Sequence, residues 1–578
     1  MVILKKLYSD TELIDPVVFK EGINIVLGRY SSSTNKEING IGKSTLVRLI
    51  DYCFLSTKAK NDFFNPKQYP FLEGHSITLR FEIDGIDFEI IRFFSESNKI
   101  LFGKEGNLQE YSESELKEIL SSEFFKSYNP TYYEPSWFRS LMKFFIKDDI
   151  NHHERRVPYN FVSPHTRKNL LIVYNFYLFG LPNYNLYQLD EYDREISDLR
   201  KVKGRIVNSV ESEFGKKIGE LRGELLELEE KVKDFQKVLE EFNFAKTFED
   251  LENELVRITT KISKLLPKIQ ELKRKLEYIQ ESYQVEIEID IEETATYYER
   301  LQRELGKFIK KSLQDIINFR KSLAENRKKY LSRKEKELNE ELNRLWKEYH
   351  QLESKRQKIY KILDSKGEFS AIKTMYERLL EEATKYQRLK EAIQKIEEIE
   401  EEIREKEREV EILYYQVVED YANYKEKIDK LNLDFRNITR KCTATSEGSY
   451  LLIELGDDRH HPIDIKVDIP KSLSHGRNQL KILLYDLCIF KGLIDNDRPV
   501  PFFLIHDGVF HGIDMKTKIR TLNYINDLLN DRAQYIVTFN EDEISEEFDG
   551  ESLNFNIHDN VITIYEDEPS RMIFKREF

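Results

Sequence analysis

Residues 39–45 read Asn39-Gly40-Ile41-Gly42-Lys43-Ser44-Thr45, and they follow an apolar run at 23–27 and Gly28. An apolar strand, a glycine-rich loop and a helix in this order are typical of a phosphate-binding loop. The glycines let backbone N–H groups approach phosphate oxygens, and the positive end of the following helix attracts the same oxygens. The pattern predicts a nucleotide site in which Lys43 contacts the β- and γ-phosphates and Ser44 binds Mg²⁺. The other predicted ligands in this stretch are Asn39, Gly40, Gly42 and Thr45.

The spacing of this loop is unusual. The common pattern G-x-x-x-x-G-K-[ST] would place its first glycine at position 37, where the sequence has Glu37. Gly28 can take the part of that first glycine if residues 29–38, which are polar and rich in serine, are an insertion. The alternative interpretation is a surface loop that contains Gly, Lys and Ser by chance.

The composition favours a large protein with long solvated helices. The chain has 578 residues, too many for one hydrophobic core, and 34% of them are charged. Its net charge of −14 gives no overall attraction to nucleic acid, so contact with DNA requires local basic stretches. Three separated cysteines are typical of reduced thiols and form no metal hook. Apolar runs are far shorter than the ~18–20 residues of a membrane span, and the first residues do not resemble a signal peptide, so we expect a cytoplasmic protein without a membrane partner.

Periodicity divides the chain into three parts. Residues 1–185 and 438–578 alternate short apolar runs with helical segments, which predicts two α/β parts. Between them, residues 186–437 repeat apolar side chains at steps of three and four, with Lys, Glu and Arg elsewhere, which predicts a coiled-coil arm. Because one chain must return to its starting point, the two halves of the arm are expected to pair antiparallel, with the tip near 284–293. The alternative is a globular helical bundle.

Local patterns predict individual elements in both α/β parts. Residues 75–94 alternate around Asp84-Gly85, which is typical of a β-hairpin. A long hairpin-like arm would bring the two α/β parts together as halves of one domain. The predicted helices include 136–147, 169–179 and 476–490, and the predicted strands of the C-terminal part are 450–455, 463–469, 500–506 and 534–539.

The far end of the chain carries two further motifs. Residues 473–477 read Leu-Ser-His-Gly-Arg at the start of a predicted helix, and residues 502–507 form an apolar strand that ends in Asp507. Together with the loop at 39–45, this order resembles the ABC-type ATPases of the SMC and RecN kind, including the double-strand-break-repair ATPases. The first motif is similar to a degenerate L-S-G-G-Q signature, and the second is similar to a Walker B strand. The alternative for 473–477 is an ordinary helix cap.

The resemblance implies roles for these residues. Ser474 and Gly476 would contact the γ-phosphate of ATP held by a second copy of the chain. Asp507, at the end of a buried strand, would bind Mg²⁺ together with Ser44. Asp514 lies seven residues after Asp507, which matches the family's spacing from the Walker B carboxylate to the D-loop.

The chain departs from the family at the position of the catalytic glutamate, which is occupied by Gly508. The base is therefore expected from elsewhere, with His511 and His506 as the nearest candidates, or hydrolysis is slow. The catalytic residues implied by the resemblance are Asp507 and His511.

Two other departures concern the loops around the site. The family's switch histidine is absent after 534–539, where Asn540 and Glu541 are candidates to orient water and ordinary loop polarity explains them equally well. Residues 125–165 contain no clear Q-loop glutamine. In the insertion before residues 39–45, the H-D-G-x-F-x-G-x-D pattern of residues 506–514 and the missing switch histidine, the chain resembles a bacterial branch of SMC-like ATPases that are encoded with effector proteins in three-component and Lamassu-type anti-phage defence loci.

The resemblance implies an α/β P-loop head of the ABC type, formed from the N- and C-terminal parts, with a long antiparallel coiled coil inserted between them. Its implied function is that of an SMC-like ATPase, in which two heads bind Mg-ATP between them and couple this to DNA sensing or clamping in bacterial defence or repair, together with an effector protein. Basic stretches at 200–205 and 327–336 are candidate DNA contacts, although a solvated coil face explains them equally well. The alternatives are an ATP-gated scaffold with little hydrolysis that controls a partner protein, and a structural tether that binds no nucleotide.

Overall fold

The computed structural model describes residues 1–30, 40–64, 69–94, 99–148, 157–241, 249–284, 313–364, 370–530 and 532–576. These residues form two compact units. Among the described residues, the α/β unit contains those of 1–193 and 409–576, and the helical unit contains those of 194–284 and 313–408. The predicted ligand Asn39 and residues 285–293 of the predicted arm tip lie outside the described residues.

The strands are short, and most of them lie in two sheets. They are β1 (Val2–Ser9), β2 (Val17–Val18), β3 (Gly22–Arg29), β4 (Ser76–Ile83), β5 (Ile86–Phe93), β6 (Ile100–Lys104), β7 (Asn107–Tyr111), β8 (Ile146–Lys147), β9 (Tyr450–Leu455), β10 (Ile463–Asp468), β11 (Phe503–His506), β12 (Gln534–Asn540), β13 (Glu547–Phe548), β14 (Glu551–Ser552) and β15 (Val561–Glu566).

The helices of the middle of the chain are much longer than those at its two ends. They are α1 (Lys43–Cys53), α2 (Thr57–Phe63), α3 (Glu113–Phe124), α4 (Phe138–Phe145), α5 (Lys168–Phe179), α6 (Tyr184–Phe214), α7 (Ile218–Glu241), α8 (Glu249–Gln284), α9 (Leu313–Asp364), α10 (Ser370–Asn423), α11 (Lys425–Thr443), α12 (His475–Asp495), α13 (Met515–Leu529) and α14 (Ile557–Asn560). Among the described helices, none is long and apolar enough to span a bilayer.

A five-stranded parallel sheet lies at the centre of the α/β unit, in the order β15-β3-β12-β11-β8. Its three inner strands, β3, β12 and β11, are mostly apolar and almost entirely buried because both faces of the sheet are covered there, as is usual in parallel sheets. β3 pairs with β12 from Gly22 and Gln534 to Gly28 and Asn540. Strands from the two ends of the chain are therefore neighbours in one sheet.

A second sheet of six antiparallel strands has the order β2-β1-β4-β5-β6-β7. Its β4–β5 hairpin confirms the predicted turn, in which Asp84 and Gly85 have φ angles of +48° and +81°. Gln534 joins the two sheets, because its side-chain amide accepts from the Leu4 N–H at 2.7 Å and donates to the Leu4 carbonyl at 2.8 Å.

Two predicted elements are shorter in the structure. The helix predicted at 136–147 is limited to α4, because Ile146 and Lys147 leave it to pair with β11. The strand predicted at 500–506 begins at Phe503, because the preceding residues bond to β1, where Pro501 bridges to Val2 and the Phe502 N–H donates to the Val2 carbonyl at 3.0 Å. The strands predicted at 450–455 and 463–469 are confirmed as β9 and β10, which form a separate two-stranded sheet.

The helical unit contains antiparallel pairs of helices. Apolar residues 251–262 of α8 share a cluster with Ile359 and Tyr360 of α9, whereas residues 265–279 share one with residues 331–352. The contacted part of α9 thus moves toward its start as α8 proceeds, which confirms the predicted antiparallel packing for this pair. Ion pairs show that α6 and α10 also pack antiparallel. Glu195 contacts Lys406, whereas Lys203, further along α6, contacts Glu400, which comes earlier in α10.

A break between α6 and α7 was not predicted. Gly215 has a φ of +69°, and its N–H donates to the Glu211 carbonyl at 2.8 Å. A glycine in this conformation ends a helix without the steric strain that another residue would carry. The heptad pattern of 218–239 therefore belongs to a separate helix rather than to a continuation of α6.

A buried polar network ties α12 to the parallel sheet. Lys147 Nζ lies 2.5 Å from both carboxylate oxygens of Asp486, and His506 Nε2 lies 3.0 Å from Asp486 Oδ2. The other ring nitrogen of His506 is 2.9 Å from the Tyr535 hydroxyl. Burial lowers the pKa of His506 despite the opposing effect of Asp486, so the imidazole is neutral at pH 7.

Replacing Asp486 by Ala should destabilise the α/β unit by about 3–5 kcal/mol, because the Lys147 ammonium would stay buried without its carboxylate. The chain has two tryptophans. Urea unfolding followed by Trp137 fluorescence in a Trp346→Phe background therefore reports on the α/β unit. The control is Asp495→Ala, which removes an exposed ion pair with Lys491 on the same helix and should have little effect. Equal losses in the two variants would contradict this role.

Candidate functional site

The loop before α1 depends on two glycines. Gly40 and Gly42 have φ angles of +90° and +117°, and Gly42 is the N-cap residue of α1. No side chain caps the start of α1, and its first turn contains no acidic residue. An uncapped helix N-terminus with positive partial charge is suited to an anion.

The C-terminal segment packs directly on this loop. A Cβ atom built at Gly42 would lie 2.3 Å from Ile573 Cγ2, and the Ile573 N–H donates to the Ile41 carbonyl at 3.2 Å. The neighbouring Phe574 packs against Tyr69 and Phe71, with ring centroids 6.0 and 5.4 Å away. Only glycine fits at position 42, both for its φ angle and for this close contact.

The opposite wall of the site follows β11 and β12. Asp507 is 2% exposed, and its N–H donates to the Lys147 carbonyl at 2.9 Å. Thr538 Oγ1 donates to Asp507 Oδ1 at 2.7 Å and accepts from the Gly508 N–H at 3.0 Å. The Thr538 hydroxyl in β12 therefore orients the Asp507 carboxylate, which directly follows β11.

A cavity of 280 Å³ lies between these two walls. It is at the carboxyl ends of the parallel strands, the edge where α/β sheets bind ligands. Its lining brings together seven of the predicted site residues with seven others. The predicted ones are Gly40, Gly42, Lys43, Ser44, Thr45, Asp507 and His511, and the others are Ile41, Arg48, Tyr69, Gly508, Thr538, Asn540 and Glu543.

Three predicted site residues lie outside this lining. Gly28 is a buried residue of β3 that pairs with Asn540 on one side and Tyr565 on the other. Ser474 is the N-cap residue of α12, where its hydroxyl donates to the Lys471 carbonyl at 3.3 Å. Gly476 packs on another part of the same chain, because a Cβ atom there would lie 1.9 Å from the Gly512 carbonyl oxygen.

The two histidines proposed as bases have different surroundings. His506 is completely buried in the network with Asp486 and Tyr535, so it does not reach the cavity. The side chain of His511 is 46% exposed, lines the cavity and contacts the carboxylate of Glu543 through Nδ1. The geometry therefore selects His511 over His506 as the candidate base.

Four lining residues were not singled out in the sequence. Arg48 lies one helical turn after Ser44, so helical spacing alone could have identified it. Tyr69, Thr538 and Glu543 belong to no local motif and reach the cavity only through the fold. Burial raises the pKa of the Tyr69 hydroxyl, which is therefore protonated at pH 7.

The donor set fits a magnesium nucleotide. Gly40–Thr45 and the cations Lys43 and Arg48 suit phosphate, and Arg48 Nε has no hydrogen-bond partner within the described ranges. Ser44 and Asp507 provide the oxygen ligands that Mg²⁺ prefers. The described residues contain no group of three or more His, Cys, Asp or Glu that could hold a metal alone.

Residues 437–578 match a bacterial protein family that is described as "Uncharacterised protein conserved in bacteria (DUF2326)". The chain is 23% identical to the "Uncharacterized protein YydD" of Bacillus subtilis (strain 168) over 583 residues, which covers 94% of each chain.

Two archaeal crystal structures are similar to the chain at low sequence identity. One is the Smc head domain with a coiled coil and joint from Pyrococcus yayanosii, with 16% identity, a TM-score of 0.39 and coverage of 98% of this chain and 95% of that one. The other is the Smc head domain with an extended coiled coil bound to the C-terminal domain of ScpA from Pyrococcus furiosus, with 13% identity, a TM-score of 0.36 and coverage of 98% and 93%.

Replacing Gly42 by Ala should weaken ATP binding at least about tenfold, because the loop or Ile573 must move to admit the new Cβ atom. Fluorescence titration with a mant-labelled ATP measures the affinity. Gly74→Ala is the matched control, since Gly74 has a φ of +84° but nothing within 4 Å of its Cβ position. The double variant Gly42→Ala with Ile573→Gly should recover part of the affinity. Unchanged binding by Gly42→Ala alone would show that the loop geometry is not required.

Proposed function

We propose that this protein is an SMC-like ATPase that binds Mg-ATP in the cavity between residues 40–45 and Asp507. The observation that carries this proposal is the convergence of the loop after β3 and the carboxylate after β11 at one edge of a parallel sheet. These segments are separated by more than 450 residues in the chain, so chance composition of a surface loop does not explain their meeting.

Each lining residue has a role in this proposal. The backbone of the glycine loop and Lys43 would bind the β- and γ-phosphates, and Thr45, in the first turn of α1, would contribute to the same phosphate site. Ser44 and Asp507 hold Mg²⁺, which neutralises phosphate charge when it is bound. Gly508 offers no side chain at the position of the family's glutamate, so in this proposal either another residue supplies the base or hydrolysis is slow.

A second copy of the chain is the proposed partner at the nucleotide. Ser474 and Gly476 are candidates to complete the other copy's site, as the family resemblance implies. Leu473, beside them, is fully exposed at 102% of its reference surface, which suits a residue that is covered by a partner. Within one chain, neither Ser474 nor Gly476 lines the cavity.

DNA sensing or clamping in bacterial defence or repair, with an effector protein, remains part of the proposal with weaker support. In the stretch 200–205, Arg200 and Lys203 contact Glu407 and Glu400, so part of its positive charge is neutralised within the helical unit. In 327–336, Arg333 and Lys334 both contact Glu337. Electrostatic binding of DNA by the remaining charge should fall steeply as salt rises.

Lys43→Ala should abolish ATP binding, with an affinity loss of about 100-fold or more, since a charge-assisted phosphate contact disappears at an uncapped helix terminus. Equilibrium binding of mant-ATP in the presence of Mg²⁺ measures it. The control is Lys58→Ala, which removes a half-exposed lysine of α2 that contacts Asp148 outside the cavity lining. Tight ATP binding by Lys43→Ala would refute the site.

The second candidate function is an ATP-gated scaffold, which Gly508 favours. In this function, ATP binding brings two copies of the chain together, and the pair holds a partner protein with little hydrolysis. Steady-state phosphate release with and without duplex DNA separates the two functions. We expect turnover below the ~1 s⁻¹ that is at the low end for enzymes, with stimulation by DNA. ATP binding with no turnover under either condition would favour the scaffold.

A further inference from the structure

The proposed ATPase lacks a base at the position directly after Asp507. Gly508 has a φ of +69°, and its N–H donates to Thr538 Oγ1 at 3.0 Å. Asp507 accepts a hydrogen bond from the same hydroxyl and is the proposed Mg²⁺ ligand. The other lining side chains that can accept a proton from water are His511 and Glu543.

Separate segments bring His511 and Glu543 into contact. His511 lies in the turn after β11, where its N–H donates to the Gly508 carbonyl at 3.1 Å. Glu543 ends the 3₁₀ turn Glu541–Glu543 after β12, and its side chain is 17% exposed. One carboxylate oxygen contacts His511 Nδ1, and the other accepts from the Asn540 N–H at 2.8 Å.

The carboxylate of this pair is ionised. Burial alone would raise the pKa of Glu543, but the hydrogen bonds from His511 and from the Asn540 N–H outweigh it and lower the pKa. An ionised carboxylate beside Nδ1 accepts a hydrogen bond from the N–H at that position. This contact favours the tautomer in which Nδ1 is protonated and Nε2 is not. His511 is therefore prepared to take a proton at Nε2.

We propose that Glu543 positions His511 as the base of ATP hydrolysis, a role that rests on the proposed function. The oxygen of a water molecule forms a bond to the γ-phosphorus, while the bond from that phosphorus to the β–γ bridging oxygen breaks. The bridging oxygen keeps the electron pair as part of ADP, and the water proton passes to His511 Nε2. The products are ADP and inorganic phosphate, and His511 returns its proton to solvent. The pair supplies in this way the basic group that Gly508 lacks.

The contact of Gly476 with Gly512 connects this base to the start of α12. Gly512 directly follows His511, has a φ of +72°, and lies against the Gly476 backbone with no room for a Cβ atom between them. A partner that presses on Ser474 and Leu473 would therefore act on the residue next to the base.

The kinetic test uses the full-length chain and three variants. His511→Gln should lower kcat about 100-fold and Glu543→Gln about tenfold, which is in the range of lost general-base catalysis. The control is Asp542→Asn, which changes an exposed carboxylate in the same 3₁₀ turn and should keep the wild-type kcat. The Kd for mant-ATP should change by no more than about threefold in all variants.

A measurement without nucleotide tests the pairing itself. The rate at which diethyl pyrocarbonate modifies His511, followed by peptide mass spectrometry across pH 5–8, reports the pKa of the imidazole. This pKa should be lower in Glu543→Gln than in the wild type or Asp542→Asn, because the carboxylate stabilises the imidazolium. The other charged groups around the pair are Asp507, Lys518 from α13, and Lys43 and Arg48 from α1, and they are the same in all these proteins.

Three outcomes would count against these proposals. A wild-type kcat in His511→Gln would overturn the assignment of His511 as the base. Equal imidazole pKa values in the wild type and in Glu543→Gln would overturn the pairing of His511 with Glu543. Both outcomes leave ATP binding at the cavity intact. Failure of the wild-type chain to bind mant-ATP would instead overturn the proposed function, and with it any role in hydrolysis.

Discussion

The parallel pairing of β3 with β12 is the interaction on which the rest of this structure depends. It joins residues 22–28 to residues 534–540. Because parallel strands end at the same edge, the loop after β3 and the residues after β11 and β12 are brought together without further adjustment. The entropic cost of closing the loop between two such distant strands grows only with the logarithm of the number of residues in the loop. Within that loop, α8 and α9 run in opposite directions.

Buried polar groups make this arrangement specific. Gln534 bonds to both backbone groups of Leu4 and so sets the parallel sheet against the antiparallel one. Asp486 holds Lys147 and His506 beneath the strand that carries Asp507. An apolar core would tolerate small shifts of these elements, whereas satisfied buried hydrogen bonds are lost if the elements slide.

Two close backbone contacts fix the loops around the cavity. Ile573 occupies the space where a side chain at Gly42 would lie, and the Gly512 carbonyl does the same at Gly476. Each contact links a loop to a segment far away in the chain. The phosphate-loop conformation and the position of His511 are thus properties of the whole α/β unit, and they depend on its C-terminal residues as much as on the loops themselves.

Much of the architecture could be predicted from local patterns, because apolar periodicity, glycine turns and strand-ending carboxylates act over a few residues. These signals located the β4–β5 hairpin, α1, the long antiparallel helices, and Asp507 at the end of β11. They did not locate the break at Gly215 or the strand character of Ile146 and Lys147, where a single glycine or a neighbouring strand decides the outcome.

The sequence by itself identified Lys43, Ser44 and the two glycines of the loop as candidates to bind phosphate and Mg²⁺, because their residue types and spacing are local features of the chain. Only the tertiary structure decided which base can act beside them. His506 and His511 are equally basic as residues, but one is buried against Asp486 and the other lines the cavity against Glu543. That difference comes from packing between segments far apart in the chain, which no local pattern encodes.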